Sequence, residues 1–480
     1  MGDRMKSRAQ KQLFWTTLFK EKKLASQLVS LAAEHVNGIT FDDIPQFGHL
    51  HVKVGSGSKI GDNFQSDTFI VTAQITPPNA KDDTSRYTLS TFVKVLPSNP
   101  FMRQMACESR SHPREINIYQ NFFGLLREMH VDQPIPLDVP DVYYTHLEEI
   151  VQGESDGSGT CTLLEDLKAA GYRMADKVEG IDYRHCHMAL TSLAHYHALA
   201  ISAMRKWKDP STGELSHIPP SAKFIEEKTF IEVGILKMVE NAAKSFLDFA
   251  QEEERPDLGE WLAELLPRLS EIILMDTVES SGPLGCVLHG DYWINNMLFK
   301  YSDESQTQDG EKSPSIPVSL RMIDFQQSRI GHPLNDILYF FYTSTRFETR
   351  QKHMLVLLRY YFDTLAADLR LLGISLDDCT WQDFLAEYKK RSLMWMFLCI
   401  MLLANALNKK ALGNLLPEEI LQAPTPEMGM ETIKGQVGMS VEMEEMMKTL
   451  MASYKLSDNP ILSDRILKLM DEVKALNHSA

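Results

Sequence analysis

The sequence of 480 residues predicts an α+β fold in two parts, a sheet-rich first third followed by a mainly helical remainder. In the first third, short apolar runs of strand-like composition alternate with turn-rich segments such as "PPNAKDDTSR". After it, apolar residues recur with helical spacing over long stretches. Strand-like runs return there at two places, "CVLHGDYWINNMLFKY" at 286–301 and "SLRMIDF" at 319–325.

Five strands and one helix are expected in the first third, after an amphipathic N-terminal helix at 11–36. The internal helix has Pro113 in its first turn and an apolar stripe that includes Tyr119 and Phe123. The Gly-rich turn "QGESDGSG" predicts a hairpin between the last two strands. The strands, joined as a meander, are expected at 49–54, 67–75, 87–96, 145–151 and 161–167.

The remainder of the chain is expected to be mostly helical. Its apolar segment 392–407 is about sixteen residues long, shorter than the roughly twenty that cross a bilayer, so we interpret it as a helix buried in a large core. The polar tract 302–317 is typical of a disordered hairpin tip. Helices are predicted at 183–207, 222–250, 258–276, 347–371, 381–410 and about 460–476.

The composition is that of a soluble globular protein, with 44% apolar and 24% charged residues. The net charge of −16 argues against a nucleic-acid partner, because neutralising nucleic-acid phosphates requires clustered Lys and Arg. The six cysteines lack a CxxC pair and a regular spacing, which indicates reduced thiols in a cytoplasmic protein. The N-terminus has no apolar signal core, and Lys6 stands where a myristoylation signal requires Ser or Thr.

The segment "HGDYWINN" at 289–296 contains the groups that phosphoryl transfer to a hydroxyl requires. A carboxylate must accept or orient the proton of the hydroxyl, and Asp291 is the candidate. Mg²⁺ requires oxygen ligands, for which Asn296 and then Asp324, in "RMIDFQ" on the next strand, are the candidates. A lone aspartate here would be an ordinary turn residue, but the combination favours phosphoryl transfer. We interpret His289 as a scaffold residue bonded to backbone.

A charged residue, Lys94, lies within the apolar run "TFVKVL" of the third predicted strand. Such a lysine commonly faces solvent, but strand alternation places Lys94 on the same face as Phe92 and Leu96. A lysine held among apolar side chains needs an anionic partner, and the following helix offers Glu115. In kinases, a strand lysine paired with a helix glutamate positions the phosphates of ATP.

The glycine-bearing segment "GSGSKIGDNFQSD" at 55–67 lies between two predicted strands. It matches neither the dinucleotide-binding GxGxxG fingerprint nor a P-loop. A glycine loop within a β-hairpin can cover the phosphates of a nucleotide, because its backbone N–H groups are accessible. Taken alone, an ordinary flexible hairpin loop is the simpler interpretation.

Two further groups of residues imitate functional sites. Four histidines between positions 185 and 197 could suggest a metal site, but helical geometry spreads them around the helix with no pair at i, i+4. Cys286, close to His289, could suggest a nucleophilic thiol, but it lies in an apolar strand without a context that lowers its pKa. We interpret both groups as structural.

The motifs "HGDYWINN", "IDFQQSRIGHPLNDILYF", "FVKVLP", "LLEDLKAAGY" and "LAHYHALA" resemble the ecdysteroid kinase-like family of arthropods. This family is grouped with choline kinases and aminoglycoside phosphotransferases. The resemblance extends from about Ile39 to the C-terminal "NPILSDRILKLMDEV". It implies a two-lobed protein-kinase-like fold: an antiparallel five-stranded N-lobe with one helix over 1–160, a hinge at 161–168, and a mainly helical C-lobe over 169–480.

The resemblance also implies a role for each motif residue. Asp291 would be the catalytic base, and Asn296 and Asp324 would bind the metal ions. Lys94 and Glu115 would form the pair that positions ATP. The phosphate loop would contain Gly57, Gly61, Asn63 and Ser66, and the hinge that faces adenine through its backbone would contain Leu164, Glu165, Asp166 and Leu167.

The implied activity is ATP- and Mg²⁺-dependent phosphorylation of a small-molecule alcohol, with an ecdysteroid hydroxyl as the named case and xenobiotic or dietary alcohols as the alternative. No protein partner and no membrane are implied. A protein kinase is disfavoured, since "HGD" replaces H-R-D and no A-P-E motif follows. A catalytically inactive nucleotide-binding pseudokinase is the alternative from another class, although Lys94, Asp291, Asn296 and Asp324 are all present.

Overall fold

The chain divides into two compact units. The first consists of Met1–Asn121, Val139–Arg173 and Leu416–Pro426, and the second of Phe122–Asp138, Met174–Leu415 and Glu427–Ala480. The structure, a computed structural model, describes residues 8–34, 42–44, 48–57, 66–76, 87–99, 102–103, 106–107, 109–132, 135–149, 157–209, 211–212, 214–226, 239, 243–274, 279–302, 316–407, 432–433, 436–437 and 459–478.

An antiparallel sheet forms the centre of the first unit. Its strands follow the spatial order β1-β2-β3-β4-β6-β5. The five long strands confirm the predicted sheet, although the strand expected at 145–151 lies at Val142–His146, and the short β1 is an addition at the edge of the sheet. The strands are β1 (Asp42–Ile44), β2 (Gly48–Ser56), β3 (Asp67–Thr76), β4 (Tyr87–Val95), β5 (Val142–His146) and β6 (Cys161–Glu165).

The predicted meander is wrong in its last step. Strand β4 pairs with β6 instead of β5, so that β6 lies between them and β5 takes the edge of the sheet. The predicted hairpin between the last two strands is confirmed, because β5 and β6 pair antiparallel. A helix separates β4 from β5 in the sequence, which removes the short turn that would make them neighbours.

Two helices, α1 (Arg8–Lys22) and α2 (Leu24–Glu34), cover one face of this sheet. A single helix was expected, but Lys23 adopts a left-handed conformation with φ 47° and separates the two. Buried aromatic and aliphatic residues of the helices pack against the inward side chains of the strands. This core includes Phe14, Trp15, Leu18, Leu28, Val52, Val71, Val93 and Leu163.

A helical segment follows β4 and supplies the glutamate of the predicted ion pair. It consists of α3 (Ser111–Asn117), a π-helical turn (Ile118–Phe122) and α4 (Phe123–Met129). The division between the two units falls between Asn121 and Phe122. Strand β7 (Tyr172–Met174) contains the second division point.

The second unit is mainly helical, as predicted. Helices α5 (Tyr183–Trp207), α10 (Phe347–Leu371) and α11 (Trp381–Leu407) are the longest, and α5 packs along α10. The further helices are α6 (243–252), α7 (Pro256–Leu265), α8 (Leu269–Leu274), α9 (Leu334–Ser344) and α12 (Pro460–His478), with 3₁₀ segments at Pro220–Glu226, Leu266–Arg268, Glu279–Leu284 and Ile294–Asn296.

The apolar segment 392–407 belongs to α11, and most of its large side chains are buried, which confirms a core helix. Across the part of the chain that the structure describes, no helix has the length and apolar character that spanning a membrane requires. The cysteines carry no disulfide, and all except Cys107 are buried.

Three short antiparallel pairs lie among the helices in the described part of the second unit, the last of them formed by Thr432–Ile433 and Gln436–Val437. Strand β8 (Cys286–Val287) pairs with β11 (Ile330–Gly331), and β9 (Met297–Tyr301) pairs with β10 (Pro317–Met322). In the second pair Met297 lies opposite Met322. The predicted functional loop lies between β8 and β9. The partners of these two strands, β11 and β10, flank the segment that contains Asp324. Most of the 302–317 tract lies outside the described residues.

The end of β2 yields a stability prediction that compares Gly55, within the strand, with Gly57, the first residue after it. A Cβ added to Gly57, which is buried, would lie 2.8 Å from the backbone N of Phe69, whereas a Cβ at the exposed Gly55 meets no atom within 4 Å. Gly57→Ala should therefore lower the free energy of unfolding by about 1–3 kcal/mol. Gly55→Ala, the control, should leave it unchanged or raise it by up to about 1 kcal/mol. Urea unfolding measures both, and equal effects would contradict the packing described.

Candidate active site

The two polar side chains predicted within "HGDYWINN" contact each other directly. The Asn296 amide Nδ2 donates to Asp291 Oδ2 at 2.8 Å and to the Asp291 carbonyl oxygen at 2.9 Å. The 3₁₀ turn Ile294–Asn296 produces this proximity, with the Asn296 N–H bonded to the carbonyl of Trp293. Because Nδ2 is used in this way, Oδ1 is the Asn296 atom left for a cation.

Asp324 is held close to this loop by backbone hydrogen bonds. The N–H of Ile323 donates to the Asn296 carbonyl at 3.0 Å, and the Ile323 carbonyl lies 3.0 Å from His289 Nε2. His289 Nδ1 accepts from the Asp291 N–H, so that Nε2 carries the ring proton and donates. The scaffold role predicted for His289 is thus confirmed. Asp324 itself is left-handed, with φ 69°, a conformation uncommon outside Gly, Asn and Asp.

The carboxylate of Asp291 has an unusual electrostatic environment. Burial and the neighbouring Asp324 raise the pKa of Asp291 to about 6, although hydrogen bonds from Tyr339 and Asn296 oppose the shift. Tyr339 donates to Asp291 Oδ1, and burial together with Asp291 raises the pKa of this phenol far above its usual value. At neutral pH the phenol therefore stays protonated and Asp291 is mostly ionised.

A second, fully buried carboxylate fixes the start of this loop. The backbone N–H groups of His289 and Gly290 donate to the two oxygens of Asp336 at 2.8 and 2.9 Å. His197 Nε2 lies 3.1 Å from the same carboxylate. Burial alone would raise the pKa of Asp336. The hydrogen bond and charge of His197, together with the bond from the Gly290 N–H, have the larger effect and lower this pKa.

Gly290 is confined between this carboxylate and the next loop. Its φ is 84°, and a Cβ added there would lie 1.9 Å from the carbonyl oxygen of Gln327. Arg329, which is buried, donates to the carbonyl oxygens of both Gly290 and Gln327. The segment 289–291 thus has little freedom to move relative to the segment that contains Asp324.

Asp336 and Tyr339 were not among the predicted site residues. Asp336 lies in the first turn of α9, in which every residue is buried. A carboxylate inside an otherwise apolar, fully buried helix needs several donors, and that requirement was the signal in the sequence. Tyr339 follows one turn later on the same face, where its tyrosine is hard to distinguish from core.

In the first unit, Lys94 and Glu115 form the predicted ion pair. Lys94 Nζ lies 2.9 Å from Glu115 Oε1 and 2.7 Å from Oε2, and both side chains are buried. Lys94 projects from β4 and Glu115 from α3. Burial of two charges is costly unless they are paired, so the geometry of this pair is well specified.

The remaining predicted residues lie in the same unit. Gly57 donates its N–H to the Thr68 carbonyl, and its own carbonyl accepts from Lys168. Ser66 Oγ lies 3.2 Å from His112 Nε2. Gly61 and Asn63 lie outside the described residues.

The predicted hinge, 161–168, begins with β6, and its predicted adenine-facing residues, 164–167, begin in the last two residues of that strand. The carbonyl of Leu164 accepts from Thr91 Oγ1 at 2.8 Å, and the carbonyl of Leu167 accepts from the Tyr172 N–H at 2.9 Å. The carboxylates of Glu165 and Asp166 accept from backbone N–H groups of Asp141 and Ala169. The adenine-facing role of these residues stays a prediction.

The residues interpreted as structural have structural contacts. The four histidines contact different partners. His185 contacts Asp182 and Tyr301, and His187 stacks on Tyr360. His195 contacts Asp368, and His197 contacts Asp336 and Tyr361. Within the described ranges, no three His, Cys, Asp or Glu side chains form a metal-binding group. Cys286 is buried in β8, and burial raises the pKa of its thiol well above the usual value, which agrees with a structural role.

These features define the class of the protein. A lysine on an antiparallel sheet paired with a helix glutamate, and an Asp-x₄-Asn loop bonded to an Ile-Asp-Phe strand end, are the elements of a kinase-like phosphotransferase. The family model described as "Ecdysteroid kinase-like family" matches residues 60–374, about two thirds of the chain. The chain therefore belongs to the ecdysteroid kinase-like family.

Two other comparisons add little to this assignment. A search of the curated proteins found no match. Among solved structures, an amicoumacin kinase in complex with AMP-PNP, Ca²⁺ and Ami is 12% identical, over 78% of this chain and 95% of that chain, with a TM-score of 0.32. At this level of similarity nothing carries over to the present chain.

Removing the charge of Asp336 tests how the loop is held. Asp336→Asn keeps the size of the side chain but turns an amide N–H₂ towards backbone N–H groups that need an acceptor. We expect the free energy of unfolding to fall by about 3–5 kcal/mol, as for other buried charges that lose a partner. Asp363→Asn, which breaks an exposed ion pair with Arg359, should cost less than about 1 kcal/mol. Chemical unfolding compares the two, and similar losses would contradict the role given to Asp336.

Proposed function

We propose that the chain transfers the γ-phosphoryl group of ATP to the hydroxyl of a small-molecule alcohol. The observation that supports this most strongly is the contact of Asp291 with Asn296, on a loop bonded to the strand end that leads to Asp324. Asp291 Oδ1 and Oδ2 each accept one hydrogen bond, from Tyr339 and Asn296. Each carboxylate oxygen has a further acceptor site, which a substrate hydroxyl can use.

In the proposed reaction, the alcohol oxygen attacks the γ-phosphorus while the bond from that phosphorus to the bridging oxygen breaks. ADP leaves with the bridging oxygen, and the hydroxyl proton passes to Asp291. A base with a pKa near 6 is mostly ionised at neutral pH and still takes up a proton readily. The Asp291 carboxylate also orients the hydroxyl before the proton moves.

The donor atoms near Asp291 suit a hard divalent cation. Asn296 Oδ1 and the Asp324 carboxylate are oxygens, the ligand type that Mg²⁺ prefers, and substrate phosphates commonly complete its coordination. When bound, Mg²⁺ would neutralise phosphate charge. The proximity of Asp324 to Asp291, which raises the pKa of Asp291, is an arrangement of like charges that a cation relieves.

The first unit is proposed to bind the nucleotide. The Lys94 ammonium, fixed by Glu115, would contact phosphate oxygens, and the loop that begins at Gly57 and ends at Ser66 would supply backbone N–H groups. The backbone at 164–167 would contact adenine. A domain division at 1–160, 161–168 and 169–480 remains part of this proposal.

For the acceptor we propose a bulky, largely apolar alcohol, with an ecdysteroid as the first candidate and xenobiotic alcohols as the second. The family assignment supports this choice. Large side chains packed near the loop support it too: Tyr292 follows Asp291 and packs on Phe340, and Trp395 stacks on Tyr339, which bonds to Asp291. An apolar polycycle requires such surroundings with a few polar groups for orientation.

Removing the charge of the proposed base should separate binding from turnover. Asp291→Asn should retain ATP binding and lose turnover by about 10²–10⁴-fold, the usual contribution of a positioned base. Asp377→Asn, at an exposed position, is the control and should keep full activity. Single-turnover kinetics and ATP titration measure the two effects. Turnover within a few-fold of wild type in Asp291→Asn would exclude Asp291 as the base.

The identity of the acceptor is tested by competition. With ATP, Mg²⁺ and equal amounts of an ecdysteroid, a xenobiotic-type alcohol, choline and an aminoglycoside, phosphate should appear on the ecdysteroid or, failing that, on the xenobiotic-type alcohol. Mass spectrometry identifies the product. Phosphate on choline or the aminoglycoside alone would contradict the proposed acceptor class, and ATP binding without any transfer would indicate a pseudokinase.

A further inference from the structure

A tryptophan lies two residues after the proposed base, in the same tight turn. The N–H of Trp293 donates to the Asp291 carbonyl at 3.2 Å, and the Trp293 carbonyl accepts from the Asn296 N–H at 2.9 Å. These two bonds tie the backbone of Trp293 to both functional residues. The position of its ring relative to Asp291 is therefore set by the same turn that sets Asn296.

The ring of Trp293 is the outermost member of an aromatic stack. It lies nearly parallel to Tyr339, with centroids 6.4 Å apart and planes inclined by 12°. Tyr339 in turn stacks on Trp395 at 5.5 Å and 21°. Tyr339 and Trp395 are buried, whereas Trp293 stays partly exposed. The stack thus ends in a partly exposed tryptophan close to the carboxylate that Tyr339 contacts.

The indole nitrogen of Trp293 lacks a partner. Its Nε1 is buried and donates to no acceptor among the residues that the structure describes. A buried N–H without an acceptor is unfavourable, and such groups in native proteins mark sites where a ligand or water completes the bond. Indole N–H is a donor only, so the missing partner is an oxygen or another acceptor atom.

We propose that Trp293 is the acceptor-positioning residue of this enzyme. In this proposal, which rests on the proposed function, an apolar ring of the acceptor lies against the exposed indole while its hydroxyl reaches Asp291. The indole N–H donates to a second oxygen of the same acceptor. The acceptor is therefore a ring-bearing alcohol with at least one further oxygen.

The geometry of the stack favours a neutral ring over a quaternary ammonium. A cage for such a cation requires aromatic faces that surround it from several sides. Trp293, Tyr339 and Trp395 are close to parallel and follow one another in a row, so that they do not enclose a space from several sides. One flat surface matches one flat apolar ring, and offset stacking is the arrangement that aromatic groups prefer.

Two substitutions separate the contribution of the ring from that of its N–H. With the alcohol that the wild-type chain phosphorylates, Trp293→Phe should lower kcat/KM about five- to tenfold, the effect of one neutral hydrogen bond. Trp293→Ala should lower it about 30- to 100-fold, because the apolar surface is lost as well. Both losses should fall mainly on the acceptor KM, with the KM for ATP within about twofold of wild type.

Trp381→Phe is the matched control, since Trp381 is another partly buried tryptophan in an aromatic cluster, with Phe384 and Phe362. It should leave the acceptor KM unchanged. Thermal melting verifies that Trp293→Phe remains folded. Acceptor KM values within twofold of wild type in both Trp293 variants would overturn the role of Trp293 while leaving the proposed function intact. A wild-type chain that phosphorylates no alcohol would refute the proposed function, and this inference with it.

Discussion

The backbone N–H groups of His289 and Gly290 both point at one buried carboxylate, that of Asp336, and the geometry of the candidate active site depends on this interaction. A loop that is proposed to carry a base and a metal ligand needs side chains held in fixed positions, yet loops have few hydrogen bonds of their own. Asp336 supplies them from a fully buried helix. Because Gly290 is also closed in by Gln327 and Arg329, the loop is held from both sides.

Two pairs of charged side chains also bear on the candidate site. The Lys94–Glu115 pair is buried in the first unit, and an apolar pair of similar size would often be as stable there or more so. A buried ammonium held in one place by a carboxylate is what the proposed contact with nucleotide phosphates requires. The proximity of Asp324, which contributes to the raised pKa of Asp291, is an arrangement of like charges that the proposed cation would relieve.

The sequence was sufficient for the elements and for the residues that have chemical signatures. Periodicity located the long helices, and the apolar surroundings of Lys94 indicated that it needs an anionic partner, for which Glu115 was the candidate. The sequence was insufficient for the order of the last strands. β6, and not β5, lies next to β4, because tertiary packing determines which strand pairs there. Asp336 was missed as well, because its role depends on hydrogen bonds to a loop that is distant in the sequence. The role proposed for Trp293 was missed because it depends on stacking against Tyr339 of another segment.

The most direct test of phosphoryl transfer follows the phosphoryl group itself. ATP labelled with ¹⁸O in its γ-phosphate is incubated with the chain, Mg²⁺ and an alcohol, and mass spectrometry locates the label. We expect the labelled phosphoryl group on the alcohol, bridged by the unlabelled oxygen of that alcohol, with one ADP formed for each ester. Label found solely in inorganic phosphate or remaining in ATP, for every alcohol supplied, would contradict the account.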